Sequence, residues 1–230
     1  MPPSGPSLGI VDSGVAPALR RRLAAETRVL LGEDGGVGRT AATDDALGHG
    51  SEIARIILGL APAASLVSAQ AFTDSRTVDA GVVAEGIAWC LEQGARIVNL
   101  SLGLRSDGAA LRSACERARA SGVLLVAAFP ARGDAVYPAA YPEVLAVSGD
   151  ARCDAGNWSV IAAGRLIGAA TSAADGTTHG GASYAAARIS ALAARFFSAR
   201  PRADAEDCLA WLESDAAFRG RERRSPMRAA

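Results

Sequence analysis

The sequence contains no lysine; all 24 basic residues are arginine. This excludes a Schiff-base lysine, a Ser–Lys dyad and a phosphate-loop lysine. Histidine is almost as scarce, with only His49 and His179, so any chemistry that needs an imidazole base must use one of them. The four cysteines, Cys90, Cys115, Cys153 and Cys208, show no pair at metal-ligand spacing. They read as free thiols in a reducing compartment. No apolar run reaches the roughly 18 residues of a membrane span. Met1–Ser7 lacks the basic and apolar regions of a signal peptide, so a cytoplasmic location is expected. Acidic residues also number 24, which makes the net charge zero. No overall basic face is therefore available for nucleic acid or a membrane surface. Arginine is concentrated only at 219, 221, 223, 224 and 228. Residues 216–230 are expected to form a solvated, disordered tail after one domain spanning 1–215.

Short β-branched runs alternate with longer helical ones. Strands are expected at Leu8–Val11, Ser65–Phe72, Arg96–Leu102, Val123–Phe129 and Val144–Val147. A further strand or hairpin is expected over Trp158–Ala162 and Leu166–Ala169. Helices are expected at Gly50–Leu58, Thr77–Gln93, Asp107–Ser121, Ser183–Ser198 and Ala203–Leu212. Gly94 and Gly122 stand as stops after the second and third of these helices. Such alternation implies an α/β fold with a mostly parallel central sheet covered by helices on both faces. On these sheets, ligands bind at the carboxyl ends of strands.

Three glycine-flanked segments carry the chemistry. Gly9-Ile10-Val11-Asp12-Ser13-Gly14 ends an apolar strand in an acid. Gly48-His49-Gly50-Ser51 opens a helix, and Gly180-Gly181-Ala182-Ser183 opens a longer one. A serine at a helix start lies beside free backbone N–H groups and a favourable dipole for a developing oxyanion. Taken singly, each residue has a plainer reading: Asp12 in a turn, with Asp44 or Asp45 approaching His49 instead, and Ser183 as a helix cap. Together they form an acid, a base and a nucleophile in the order Asp, His, Ser. No histidine follows Ser183, which excludes the order of an α/β-hydrolase. Nor does a G-x-G-x-x-G open a helix after the first strand, which argues against a nucleotide-binding domain.

These motifs resemble the subtilisin family of serine peptidases. Asp12-Ser13-Gly14 and Gly48-His49-Gly50-Ser51 are similar to its Asp and His motifs. Ala61-Pro62-Ala63-Ala64-Ser65-Leu66, Val98-Asn99-Leu100-Ser101-Leu102-Gly103, Tyr141-Pro142-Glu143-Val144-Leu145-Ala146-Val147 and Gly181-Ala182-Ser183-Tyr184-Ala185 follow in the family's order. The resemblance covers about residues 8–198 and implies a subtilisin-like three-layer fold with catalytic Asp12, His49 and Ser183. It also implies a peptide bound as an extended strand beside Ser101, Leu102 and Gly103, with Pro130 and Val136 narrowing the first specificity pocket toward small residues.

The departures are specific. Ala131 stands where the family places an oxyanion-donating Asn, Glu52 where it has a second His, Ala182 for a Thr and Ala187 for a Pro. No pro-segment is expected ahead of the first core strand, and residues 149–180 look shortened. The resulting expectation is a slow, dedicated processing endopeptidase with no cofactor and no metal site. Its partner would be a peptide or protein substrate, with a separately encoded partner or precursor as a further possibility. The alternative is a pseudoprotease that binds a peptide or protein without cutting it.

Overall fold

The computed structural model describes residues 5–73, 78–176 and 181–222. In chain order the elements are β1 (Ser7–Asp12), α1 (Pro17–Arg20), β2 (Leu23–Leu31), β3 (Val37–Thr40), α2 (His49–Leu60), β4 (Ser65–Gln70), α3 (Ala80–Glu92) and β5 (Ile97–Leu100). They continue with α4 (Ala109–Ala120), β6 (Leu124–Ala128), β7 (Val144–Gly149), β8 (Trp158–Ala162), β9 (Leu166–Ala169), α5 (Ala182–Ala199), α6 (Ala205–Ser214) and β10 (Phe218–Arg219). The strands form one sheet in the order β10-β8-β9-β7-β6-β5-β1-β4-β2-β3. Every pairing is parallel except β2 with β3 and β8 with β9.

The apolar strands β1, β5 and β6 are buried on both faces, as a sheet covered by helices requires. Even-numbered β1 residues, Leu8 and Ile10, join the apolar cluster of α2, α5 and α6. Val11 joins the cluster of α3 and α4 on the opposite face. Pleating sends alternate side chains to opposite layers and so builds two cores from one strand. α5 packs across β5, β6, β7 and β9. Its inward face is mostly alanine (Ala185, Ala186, Ala187, Ala191, Ala193 and Ala194), all fully buried, which allows the helix backbone to lie close to the sheet.

The expected helices and central strands are present, with ends shifted by a few residues. α3 starts at Ala80, where the Asp79 carboxylate caps it by accepting from Gly81 N at 2.7 Å. The β8–β9 hairpin is antiparallel. The sequence reading passed over β2 and β3, a hairpin at the sheet edge whose residues are mostly half-buried or exposed. Their outer residues carry no clean apolar alternation, so period alone does not reveal them. β10 also lies within the stretch given to the tail. Ala217 N and Gly220 N donate to Trp158 O and Val160 O, so the sheet extends to Arg219. Arg223, Arg224, Arg228 and His179 fall outside the described residues.

Candidate active site

Asp12 ends β1 between β4 and β5, fully buried. Its Oδ1 accepts from its neighbour Ser13 N at 2.7 Å and lies 2.7 Å from His49 Nδ1. With Nδ1–H donating to the carboxylate, Nε2 of His49 is left as the basic nitrogen. Asp12 Oδ2 is buried with no hydrogen-bond partner. The His49 side chain is 21% exposed, so the pair joins a sealed acid to a base open to the cleft.

The start of α2 is held from outside the helix. Asp45 Oδ1 accepts from Ser13 Oγ (2.8 Å) and Gly48 N (2.9 Å). Its Oδ2 accepts from Ser51 N (2.8 Å) and Ser51 Oγ (2.6 Å). Ser13 Oγ accepts from Gly50 N at 2.9 Å, and Ser51 Oγ from Ala16 N at 2.9 Å. Gln70, fully buried at the end of β4, donates from Nε2 to Ser13 O and accepts from Thr43 N, both at 2.9 Å. Three N–H groups of the first turn, those of Gly48, Gly50 and Ser51, are thereby satisfied, and the turn after Asp12 is tied to the helix that carries His49. The approach is so close that a Cβ on Gly50 would lie 2.2 Å from Gly14 O; only glycine fits. Sequence reasoning missed Ser13, Asp45, Ser51 and Gln70 as a unit. The available signal was Asp45 four residues ahead of His49, which was weighed as an alternative partner for the imidazole. In the structure it binds the helix start instead, while Asp44 pairs with Arg20 at 3.2 Å. No cluster of three metal-ligating side chains occurs among the described residues.

Ser183 is the second residue of α5. Gly181 caps that helix at φ 64 and ψ −150, a backbone conformation suited to glycine, and no side chain caps it. Ser183 Oγ donates to Ser101 O at 3.2 Å, and Ser101 Oγ donates to Ser183 O at 3.2 Å. Asn99 Nδ2 donates to Ser101 Oγ at 2.8 Å, and Ser190 Oγ donates to Asn99 Oδ1 at 3.0 Å. This buried polar chain locks the end of β5 to the start of α5.

His49, Ser101, Leu102, Gly103 and Ser183 line one cavity of about 400 Å³, together with Pro130 and Val136. Of the residues singled out in sequence, Asp12 sits behind His49, and Ala131 lines a separate crevice with Arg132 and Asp150. Val136 packs on Gly103: a Cβ there would meet Val136 Cγ2 at 2.8 Å. Two backbone bonds, Leu104 N to Tyr137 O (2.7 Å) and Tyr137 N to Leu104 O (2.8 Å), hold the two segments together. Phe72 and Leu47 also line the cavity and were not foreseen. The cysteines lie elsewhere, and burial pushes the Cys90 thiol up to about 12, far from nucleophilic use.

A carboxylate, an imidazole and a helix-start serine thus meet at the carboxyl edge of a parallel sheet. The profile of the Subtilase family matches residues 3–226. The chain belongs to the subtilase family. It is 33% identical to the minor extracellular protease Epr of Bacillus subtilis (strain 168) over 153 residues, covering 61% of this chain and 23% of Epr. It is 31% identical to subtilisin DY of Bacillus licheniformis over 156 residues, covering 61% of this chain and 54% of that protein. The chain therefore spans about half, or less, of the length of these relatives. Among solved structures, a cold-adapted subtilisin-like serine proteinase superposes with a TM-score of 0.72 at 22% identity, covering 96% of this chain and 88% of the other. The self-cleaved protease domain of PatA gives 0.63 at 27% identity, covering 86% and 81%. The fold is subtilisin-like. No described helix is long and apolar enough to cross a membrane.

Proposed function

We propose that the chain is a serine endopeptidase in which Asp12, His49 and Ser183 form the catalytic triad. The observation that carries this reading is the 2.7 Å Asp12–His49 pair opening onto the same cavity as Ser183. In the first step, Ser183 Oγ turns from Ser101 O toward His49 Nε2, gives up its proton there and forms a bond to the substrate carbonyl carbon. Asp12 holds Nδ1–H and stabilises the imidazolium. The oxyanion that develops is met by the Ser183 N–H at the positive end of α5. His49 then donates its proton to the leaving amine as the C–N bond breaks. A water, deprotonated by His49, then bonds to the acyl carbon; the ester bond to Ser183 Oγ breaks, and Oγ takes the proton back from His49.

The substrate is an extended peptide laid beside Ser101, Leu102 and Gly103. Val136 against Gly103, with Pro130 lining the same cavity, supports a preference for Gly, Ala or Ser before the scissile bond. Ala131 cannot supply the side-chain amide that its family position calls for. Loss of such a donor costs about 10²–10³ in turnover, a magnitude measured in subtilisin itself. A slow enzyme dedicated to one precursor, with or without a separately encoded partner, fits that geometry better than a general degrader. The four unpaired cysteines support a cytoplasmic location.

Ala131 also favours a second reading, a pseudoprotease that holds a peptide without cutting it. Fluorophosphonate labelling separates the two. Covalent labelling of the wild type, lost in both Ser183→Ala and His49→Ala, is the expected result. A folded wild type that remains unlabelled would favour the binding module.

A further inference from the structure

Glu52 follows His49 by three residues on α2, and Arg188 follows Ser183 by five on α5. Both side chains reach the same short run. Glu52 Oε1 accepts from Ala174 N at 2.7 Å. Arg188 Nη2 donates to Ser172 Oγ at 3.0 Å and, less directly, to Ala173 O at 3.4 Å. Arg188 is only 3% exposed, and its Nε and Nη1 are buried with no hydrogen-bond partner. Burial pulls the guanidinium's pKa down, while the charge of Glu52 across the run opposes that.

For folding alone this is a poor choice. A buried cation with unused donors costs more than a hydrophobic side chain of similar volume. The apolar residues of the two helices, Ile53 and Ile57 on α2 and Ala186 and Ile189 on α5, share one cluster. Apolar contact is non-directional and tolerates sliding, whereas hydrogen bonds with fixed angles do not. The polar grip on residues 172–174 is the directional link between the helix of the base and the helix of the nucleophile.

We propose that Glu52 and Arg188 are positioning residues that bracket residues 172–174 from α2 and α5, fix the register of the two helices, and so set the approach of Ser183 Oγ to His49. This inference rests on the triad proposed above. An acid and a base at these two places do together what neither does alone.

The test is saturation inactivation by a peptidyl diphenylphosphonate carrying Ala before the phosphorus, on the full chain. It separates the binding constant KI from the chemical rate kinact. Glu52→Ala and Arg188→Met are each expected to lower kinact at least fivefold with KI within twofold of wild type, because the peptide wall at 101–103 is untouched. The double variant is expected to be no slower than the worse single one, since both act through one run of chain. Glu52→Gln keeps an acceptor for Ala174 N but loses the charge facing Arg188. It is expected to fall between wild type and Glu52→Ala, and it carries the test if Arg188→Met does not fold. Folded variants with wild-type kinact would overturn the bracket and leave the triad standing. An unlabelled wild type would overturn the triad and this inference with it.

Discussion

Around His49, six side chains, those of Asp12, Ser13, Thr43, Asp45, Ser51 and Gln70, share a set of hydrogen bonds. Asp12, Ser13 and Gln70 are fully buried within that set. Across the cavity, the turn after β6 is the opposite. Ala131, Arg132 and Gly133 are exposed, and residues 129–135 make no side-chain hydrogen bond among the described residues. His49 is held by directional contacts, several of them buried or partly buried, where such contacts are stronger than in water. In the proposed mechanism the acyl oxygen would be met by one helix start, that of α5. On the proposed mechanism, this division places most of the polar order around the base and little where the oxyanion would form, and it predicts a competent but slow nucleophile.

Removing the base or nucleophile should give the largest effect. His49→Ala and Ser183→Ala are expected to lower the fluorophosphonate labelling rate by at least about 10³-fold, and labelling that survives in Ser183→Ala would move the nucleophile elsewhere. The next largest change should come from the weak side. Ala131→Asn is expected to raise kcat on a peptide substrate by about 10- to 100-fold. No gain would mean that the turn does not face the oxyanion.

Asp45→Ala attacks the strong side without touching the reacting atoms. It strips acceptors from Ser13 Oγ, Gly48 N and Ser51 N and should cost about 2–3 kcal/mol in denaturant unfolding. Labelling should slow as well, while Asp44→Ala should do neither. Val136→Gly is expected to broaden the preference before the scissile bond toward Leu and Phe, read as a severalfold shift in kcat/KM across a peptide panel.

The smallest effect concerns Asp150, which lines the Ala131 crevice. Burial raises its pKa, but hydrogen bonds from Arg152 (2.6 Å) and Ser159 (2.6 Å) outweigh that and hold it below the usual carboxylate range. A depressed folded pKa contributes stability above the ordinary value of about 4, and the contribution is lost as pH falls through the folded one. Asp150→Asn should therefore lower Tm at pH 7, and the difference from wild type should shrink below about pH 4.

Much of this was legible in the chain. Asp12, His49 and Ser183 stood out because each closes or opens an element and is flanked by glycines, and glycine marks places where backbones meet. The parallel sheet was legible because doubly buried strands must be apolar throughout. β2 and β3 were not, since an edge hairpin with solvent on one side tolerates almost any pattern. β10 was not either, because two residues among arginines carry no periodic signal. Glu52 was visible only as a departure from the family; its bond to Ala174 N spans 122 positions and leaves no local trace.

The sequence by itself determined the layer architecture, the order of Asp12, His49 and Ser183 along the chain, and the lack of a side-chain amide at position 131, because periodicity and residue chemistry are local properties. Only the tertiary structure decided that Asp12 rather than Asp45 faces His49, that Val136 closes on Gly103, and that a buried Arg188 grips the same run as Glu52. Those outcomes depend on which strand ends and helix starts converge, and convergence is set by packing between segments far apart in the chain.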